Sequence, residues 1–387
     1  MHLSEVCTII LLHHTVADSS SGIFFGYDSG YINGVLASAE FVRLVTGQTG
    51  PTPVLPGSTQ SLITAILSAG TFFGAIIAGD VSDILGRRNT VVLGCLIYII
   101  GVILQMAVNG LGLIVAGRLI AGLGVGFESA IVILYMSEIV SPHYRPYPVL
   151  ETITNAVQCP KKVRGALVAG YQFAITIGLL LAACVNYAVK DRTDSGAYRI
   201  PIAIQFIWGL ALGGGLLMLP DSPRFFVKKG KVDQARAALA RLRSQPADSS
   251  YVEEELAEIV ANDAYEKEIV PSSTWYASWM SCFRGSLFKQ SSSLRRTILG
   301  TALQMMQQWT GVNFIFYYST PFLKSTGAIK NEFLISLIFT LVNVCSTPIS
   351  FYTVEKLGRR PLLVWGAFAM MICQVSTNED INQEQSS

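Results

Sequence analysis

The 387-residue sequence has little charge: Asp, Glu, Lys and Arg make up 14% of it, against roughly a quarter in an ordinary soluble protein. It also lacks an excess of either sign, because 28 Lys and Arg nearly balance 26 Asp and Glu, which removes the argument for a basic nucleic-acid-binding protein. The 7 Cys are too few and too scattered for a disulfide scaffold. With 51% hydrophobic residues, the composition indicates a polytopic membrane protein.

Histidine is also scarce, and its copies are dispersed or lie in the divergent segments described below. This spacing offers no metal site, and we expect neither a metal nor a cofactor. The four histidines are His2, His13, His14 and His143.

Eight segments are apolar over the roughly 20 residues that a helix needs to cross a bilayer. Each is rich in Gly, Ala and Ser, which permit close helix packing in lipid. A ninth apolar run, Leu362 to Cys373, has only 12 residues and is too short to span. The predicted spans are 7–36, 61–80, 90–109, 111–136, 165–188, 200–219, 297–323 and 333–353.

Lys and Arg are biased to one side of the predicted membrane, and the positive-inside rule assigns that side to the cytoplasm. The short loops after spans two, four and eight carry nine of them, and the alternate loops carry six. We therefore predict a cytoplasmic N-terminus and a cytoplasmic segment 220–296.

The spacing of apolar residues in this segment predicts two helices. The first is an amphipathic helix from Gly230 to Arg243, and the second begins with a capping box at Ser250 and runs to about Lys267. The apolar face of the first consists of Ala235, Leu239 and Leu242.

Five motifs in a fixed order carry a family resemblance, and four of them lie in spans one to seven or at their ends. They are Gly79-x3-Asp83-x2-Gly86-Arg87-Arg88, its echo Glu355-x2-Gly358-Arg359-Arg360, Arg118-x3-Gly122-x-Gly124-x-Gly126 followed by Glu138, Pro220-Asp221-Ser222-Pro223-Arg224, and Gln307-Gln308-x2-Gly311-x-Asn313-x3-Tyr317-Tyr318.

With these motifs the sequence resembles the sugar porter family of the major facilitator superfamily, and specifically its fungal monosaccharide transporters. The resemblance implies an all-α membrane protein with the major facilitator fold. It places an N-terminal six-helix bundle at 22–219, a cytoplasmic helical segment at 220–296, and an incomplete C-terminal bundle at 297–373, made of two helices and a partial ninth.

The resemblance also implies a sugar site and an extracellular gate. Amide side chains suit such a site because they can pair with the hydroxyl groups of a sugar. Without the resemblance, hydrogen bonding between helices would explain amides in an apolar span equally well. The implied sugar ligands are Gln172, Gln307, Gln308, Asn313 and Asn343, and the implied gate residues are Tyr317 and Tyr318.

Asp28 in span one and Arg118 in span four are ionisable residues inside predicted spans, where a lone charge is costly, and we expect them to be paired. In proton-coupled members of the family the acid at the Asp28 position is proposed as the proton carrier, and its protonation would release the arginine. A permanent ion pair that locks the helices is the alternative. Glu128 is a third intramembrane acid, to which the sequence assigns no role beyond packing.

Opposite charges cluster at the predicted cytoplasmic helix ends. Such clusters can hold the two halves together in the outward-facing state and separate when the cytoplasmic side opens. Ordinary positive-inside anchoring is the alternative. The residues of this predicted network are Asp83, Arg87, Arg88, Glu138, Arg164, Asp221, Arg224, Glu355, Arg359 and Arg360.

Three features depart from the family. Its members carry twelve spans, whereas this sequence ends inside the ninth; an anomalous insertion, 140–158, lengthens one loop; and the leader 1–21 and the polar tail 374–387 diverge. We hypothesise that translated introns explain all three, because Val140-Ser141 can be encoded GTAAGT, a splice-donor sequence. A transcript that lacks codons 140–158 would support the hypothesis, and one that contains them would reject it.

The resemblance implies transport of a monosaccharide such as the hexose glucose by alternating access, with or without coupled protons (symport). The expected location is the plasma membrane, and the expected partners are the sugar, protons and the lipid bilayer, with no nucleic acid. The chain is not expected to be an enzyme. A sugar sensor of the same fold and a non-functional truncated product are the alternatives.

Overall fold

The computed structural model describes residues 3–48, 50, 53–139, 164–243, 245–269, 280, 282–283, 285–288, 292–326 and 331–386. Within these ranges every regular element is a helix, and the predicted insertion 140–158 lies outside them. The helices are α1 (Leu3–Ala37), α2 (Ala39–Thr46), α3 (Gly57–Leu85), α4 (Arg87–Met106), α5 (Leu111–Ile139), α6 (Arg164–Val189), α7 (Gly196–Met218), α8 (Pro223–Lys228), α9 (Val232–Arg243), α10 (Ser250–Ile269), α11 (Ser293–Trp309), α12 (Val312–Thr326), α13 (Glu332–Leu357) and α14 (Arg359–Ser386).

Six helices of the described chain are long and apolar enough to cross a membrane. They correspond to predicted spans two to six and span eight, and α1 covers predicted span one. Large apolar side chains such as Phe72 and Ile100 are more than half exposed on their outer faces, as expected for contact with lipid. The six segments are Gly57–Leu85, Arg87–Met106, Leu111–Tyr135, Gly170–Val189, Gly196–Met218 and Glu332–Val354.

Predicted span seven is not one continuous helix, and this prediction is wrong. Its chain forms α11 and α12, which are separated at Thr310 and Gly311. Gly311 adopts φ 77°, a left-handed conformation that favours glycine. The Thr310 hydroxyl donates to the Gln307 carbonyl at 2.7 Å and satisfies an acceptor at the end of α11.

The last helix, α14, extends beyond the apolar run that ends at Cys373 and continues to Ser386. Within it, only Arg360–Cys373 forms an apolar helical stretch, and this stretch is shorter than a membrane span. The predicted polar tail is therefore helical over most of its length.

Close backbone contacts hold the first six spans in two groups: α1 packs on α6 and α7, and α3 and α4 pack on α5. Glycines make these approaches possible, because a Cβ added at Gly26 would lie 2.0 Å from the Ile175 carbonyl oxygen. The buried core between the two groups includes the aromatic side chains of Tyr27, Tyr31 and Tyr98.

The segment after α7 folds into the two predicted helices, α9 and α10. The predicted apolar face of α9 is buried on two sides: Ala235 and Leu239 pack with Val252 and Leu256 of α10, and Leu242 packs with the core of the spanning helices. The Arg243 guanidinium also binds the Glu255 carboxylate at 2.7 Å. The first turn of α10 is capped by Ser249, whose Oγ accepts the Val252 N–H, one residue before the predicted capping serine.

Candidate functional site

Polar groups collect at three levels of the bundle. We call the end of the helices that carries Arg87 the Arg87 end, and the opposite end, which carries Asn33, the Asn33 end. A third group, around Asp28 and Arg118, lies inside the bundle between them.

At the Arg87 end, a tight turn at Gly86 brings two backbone N–H groups onto one carboxylate. Asp221 Oδ1 accepts the N–H of Arg87 at 3.0 Å and that of Arg88 at 3.3 Å. The Arg87 guanidinium then binds Glu138 through Nη2 at 3.0 Å and Asp83 through Nη1 at 3.0 Å. The Arg87 and Glu138 side chains are each only 8% exposed, so this pair is the best shielded from water in the network.

The network therefore includes five of the predicted residues and one that the sequence analysis missed, Lys228, which binds Asp83 Oδ2 at 3.0 Å. Arg88 contributes a bond from its Nη2 to the Leu217 carbonyl at 2.7 Å. Arg224 and Arg360 are exposed. The side chains of Arg164, Glu355 and Arg359 lie outside the described part of the chain.

Inside the bundle, Asp28 and Arg118 are both fully buried, but no direct ion pair joins them. Arg118 donates from Nη1 to the Tyr31 hydroxyl at 2.7 Å and from Nε to the Ile63 carbonyl at 2.8 Å. Asp28 instead has the Tyr98 hydroxyl 3.1 Å from its Oδ1. The predicted pairing is therefore indirect, since tyrosine hydroxyls occupy the positions next to each charge.

Two glutamines extend this buried group. The Tyr31 hydroxyl donates to Gln105 Oε1 at 2.6 Å, and the Tyr98 hydroxyl lies 2.9 Å from Gln205 Oε1. A hydroxyl carries one hydrogen, so Tyr98 can donate to Asp28 or to Gln205 but not to both. The sequence analysis missed these four residues, although polar side chains inside apolar spans were a usable signal.

At the Asn33 end, Asn33 of α1 joins the two halves of the chain. Its Nδ2 donates to the Ser319 hydroxyl at 2.7 Å and to the Ser336 hydroxyl at 3.3 Å, and its Oδ1 accepts the Thr320 N–H at 3.0 Å. All four residues are buried. The sequence analysis missed Asn33, because a single asparagine in a span has no recognisable motif.

The two predicted gate tyrosines lie beside Asn33 in the same interface. The Tyr318 hydroxyl forms a hydrogen bond with the Thr64 hydroxyl of α3, and its ring stacks on Phe314 at a centroid distance of 5.7 Å. Tyr317 is half-buried and packs against the core of the first six spans. Both side chains therefore connect α12 to the first half of the chain.

The predicted sugar ligands lie away from this closed interface. Gln307, Gln308 and Asn313 are exposed on either side of the break between α11 and α12, and Asn313 Nδ2 donates to Gln308 Oε1 across it. Gln172 of α6 is exposed and Asn343 of α13 is half-buried. The described structure thus brings Gln308 and Asn313 into contact, and it shows no hydrogen bond from either of them to Gln172 or Asn343.

A cavity of about 220 Å³ opens at the Asn33 end between α1, α6 and α13. It is smaller than the roughly 300–1,000 Å³ of typical ligand pockets. Charges of both signs line it, including Lys190 and Glu332. In the adjacent loop, the Arg192 guanidinium donates a hydrogen bond to the Asp194 carboxylate at 3.0 Å. This bond holds the pKa of the Asp194 carboxyl group below its usual value. None of the predicted sugar ligands lines this cavity.

Comparison with known sequences gives the same family as the motifs. The family described as "Sugar (and other) transporter" matches residues 14–382. Three curated relatives align with 92% of this chain. They are the major facilitator-type transporter ecdD of Aspergillus rugulosus (44% identical, 60% of its length), the probable glucose transporter rco-3 of Neurospora crassa (40%, 56% of its length) and the high glucose sensor RGT2 of Saccharomyces cerevisiae (37%, 43% of its length).

Comparison with solved structures confirms the predicted fold. The proton:xylose symporter XylE, a major facilitator superfamily protein bound to 6-bromo-6-deoxy-D-glucose, superposes with a TM-score of 0.69 at 24% identity. The alignment covers 92% of this chain and 71% of XylE. The chain spans about half the length of the curated relatives that it matches, between 43% and 60%.

Proposed function

Because the chain belongs to the family of sugar (and other) transporters, we propose that it binds a monosaccharide and moves it across the membrane by alternating access. Glucose is the proposed hexose, since two of the relatives are named as a glucose transporter and a glucose sensor. The proposed activity is transport, because the family that matches the chain is that of sugar (and other) transporters.

The observation that best supports this proposal is the break between α11 and α12. It places Gln307 and Gln308 at the end of one helix and Asn313 at the start of the next. Broken helices line the substrate sites of many transporters, because their ends offer backbone and side-chain groups to a ligand. The amides also suit a sugar, since each can donate to one hydroxyl and accept from another. Gln172 and Asn343 would complete the proposed site from α6 and α13.

The contacts between the halves support alternating access. At the Asn33 end, Asn33, Tyr317 and Tyr318 join the first half to α12, whereas α11 extends away from this end and has no buried residue. We propose that the Asn33 end faces outward and the Arg87 end faces the cytoplasm, because positive charges favour the cytoplasmic side. The structure would then correspond to an inward-facing state in the plasma membrane.

We also propose that Asp28 carries a coupled proton. A buried carboxylate inside a span is costly unless its charge is compensated. The positive charge of Arg118 stabilises the carboxylate, but tyrosine hydroxyls separate the two groups. Protonation of Asp28 would remove this attraction and change the hydrogen bond to Tyr98 on α4. The proton would thereby alter the packing of α1 against α4.

A sugar sensor is the second candidate, supported by the 37% identity to RGT2. A transporter must release the sugar on the opposite side of the membrane, whereas a sensor need only bind it. Counterflow of labelled glucose in proteoliposomes, measured together with glucose binding, separates the two. Binding with counterflow supports transport, and binding without counterflow supports the sensor. The absence of both binding and counterflow would support the non-functional product.

A further inference from the structure

Glu128 lies at the middle of α5 and is not part of the site described above. It is 2% exposed, and its Oε1 has no hydrogen-bond partner in the described part of the chain. Ten residues separate it from Arg118 and ten from Glu138, which corresponds to roughly 15 Å along the helix in each direction. An ionised carboxylate in such a place would be very costly, so the group is expected to hold a proton.

Among the side chains that the structure describes, the neighbours of Glu128 offer no compensating positive charge. On α1 the fully buried Ser21 lies beside it, and Asp28 is the charged group whose field acts on it. On α4 the nearby titratable groups are Tyr98 and Cys95, both buried. The helix α3 approaches α5 through backbone contacts at its glycines, and its two charged residues, Asp80 and Asp83, lie near its Arg87 end.

The position of Glu128 relative to Asp28 is defined by its neighbour on α1. Ser21 precedes Asp28 by seven residues, roughly 10 Å along the helix toward the Arg87 end. Glu128, beside Ser21, therefore lies between Asp28 and the Arg87 end. Tyr98 belongs to the Asp28 level, since its hydroxyl lies 3.1 Å from Asp28 Oδ1, and it is close enough to Glu128 for the two groups to interact electrostatically.

We propose that Glu128 is a second proton-binding site, which exchanges a proton with Asp28 and lies between Asp28 and the Arg87 end. This inference rests on the proposed proton coupling at Asp28. In the exchange, the Glu128 carboxylic acid loses its proton and becomes a carboxylate, and the Asp28 carboxylate gains one and becomes the acid. The Tyr98 hydroxyl contacts Asp28, and a water molecule would cover the remaining distance to Glu128; each accepts one proton and donates another, so the net charge of the pair is unchanged.

Arg118 determines where the proton resides at rest. Burial disfavours the charged form of both acids; the positive charge of Arg118 offsets part of this cost at Asp28, whereas the charge that acts on Glu128 is the negative one of Asp28. One proton shared by these two acids therefore belongs on Glu128. The proton moves to Asp28 when the arginine is displaced or when Glu128 becomes accessible to water.

The test is an infrared measurement of the carboxyl groups in the purified full chain at neutral pH. A protonated carboxylic acid in an apolar site gives a C=O stretching band that shifts in D2O. The expected result is such a band in the wild type, its loss in Glu128→Gln and its retention in Asp28→Asn. The matched control is Glu254→Gln, which replaces an exposed acid of α10 and leaves the band unchanged.

A wild type without the band, or a Glu128→Gln variant that retains it, would overturn the proposal. Glutamine has the shape of the protonated acid, and thermal unfolding of each variant shows whether it remains folded. The infrared measurement requires no sugar, so it is independent of the proposed transport. A wild type that shows the band but does not bind glucose would contradict the proposed transport and leave the proton-binding site supported.

Discussion

Asn33 Oδ1 accepts the backbone N–H of Thr320 at 3.0 Å, a hydrogen bond between helices on opposite halves of the chain. Pro321 follows Thr320 inside α12 and supplies no N–H of its own, so the helical hydrogen bonding is interrupted there. The same side chain donates to Ser319 and Ser336. One amide thus uses both its donor and its acceptor to hold the Asn33 end closed.

Replacing Asn33 with Ala should open this end. The substitution leaves the buried Thr320 N–H without its partner, at about 1–3 kcal/mol, and leaves the Ser319 and Ser336 hydroxyls, 3.3 Å apart, with only each other. Spin labels at the exposed Asp191 and Asn331, in the α6–α7 loop and before α13, would report the change as a longer distance. The matched control is Thr340→Ala on α13, whose hydroxyl bonds only to its own helix. Equal distance distributions in both variants would refute the role of Asn33.

Replacing Gly86 with Ala should destabilise the fold. Gly86 has φ 94° and ψ 161°, a conformation that is essentially restricted to glycine and costs other residues about 1–3 kcal/mol. A Cβ there would also lie 2.0 Å from Asp221 Oδ2 and displace the carboxylate that holds the N–H groups of Arg87 and Arg88. The measurement is the apparent Tm in detergent.

Gly79→Ala is the control for this experiment. Gly79 belongs to the same motif, but it lies within α3 and a Cβ there meets nothing within 4 Å. Alanine at a helical position is favoured over glycine by about 0.5–1 kcal/mol. The Tm should therefore stay the same or rise. A Gly79→Ala variant that loses as much stability as Gly86→Ala would contradict this interpretation of the turn.

Replacing Asp28 with Asn should uncouple sugar accumulation from the pH gradient. Asparagine has nearly the same shape but cannot bind the proton, so uptake driven by an acidic exterior should disappear while exchange of sugar down its gradient persists. Labelled glucose uptake in proteoliposomes measures both, and Asp191→Asn is the control because Asp191 is exposed in a loop. Accumulation equal to that of the wild type would exclude the proton role.

The spans could be predicted from the sequence because the length of an apolar helix is a local property. Gly79, Gly86 and the arginines could be recognised for the same reason, since their motif is a continuous stretch of chain. The contact of Lys228 with Asp83 could not, because 145 residues separate the two. Gly311 was expected to lie inside a continuous span, since only its left-handed φ reveals the break.

The proposed site was recognised only in part for a related physical reason. Gln307, Gln308 and Asn313 belong to one recognisable motif, whereas Asn33, Tyr31 and Tyr98 acquire meaning from partners on other helices. The indirect arrangement of Asp28 and Arg118 was also hidden, because the sequence does not indicate that tyrosine hydroxyls lie next to each charge.

The most direct test of sugar recognition is calorimetric titration of glucose into the purified chain and its Asn313→Ala variant. Loss of an amide that pairs with a sugar hydroxyl should raise the Kd at least about tenfold, equivalent to about 1.4 kcal/mol. The control, Asn89→Ala, removes an exposed amide that donates to the Leu85 carbonyl at the end of α3, far along the chain from the proposed site, and should bind like the wild type. Glucose binding by Asn313→Ala with the wild-type Kd would contradict the proposed site.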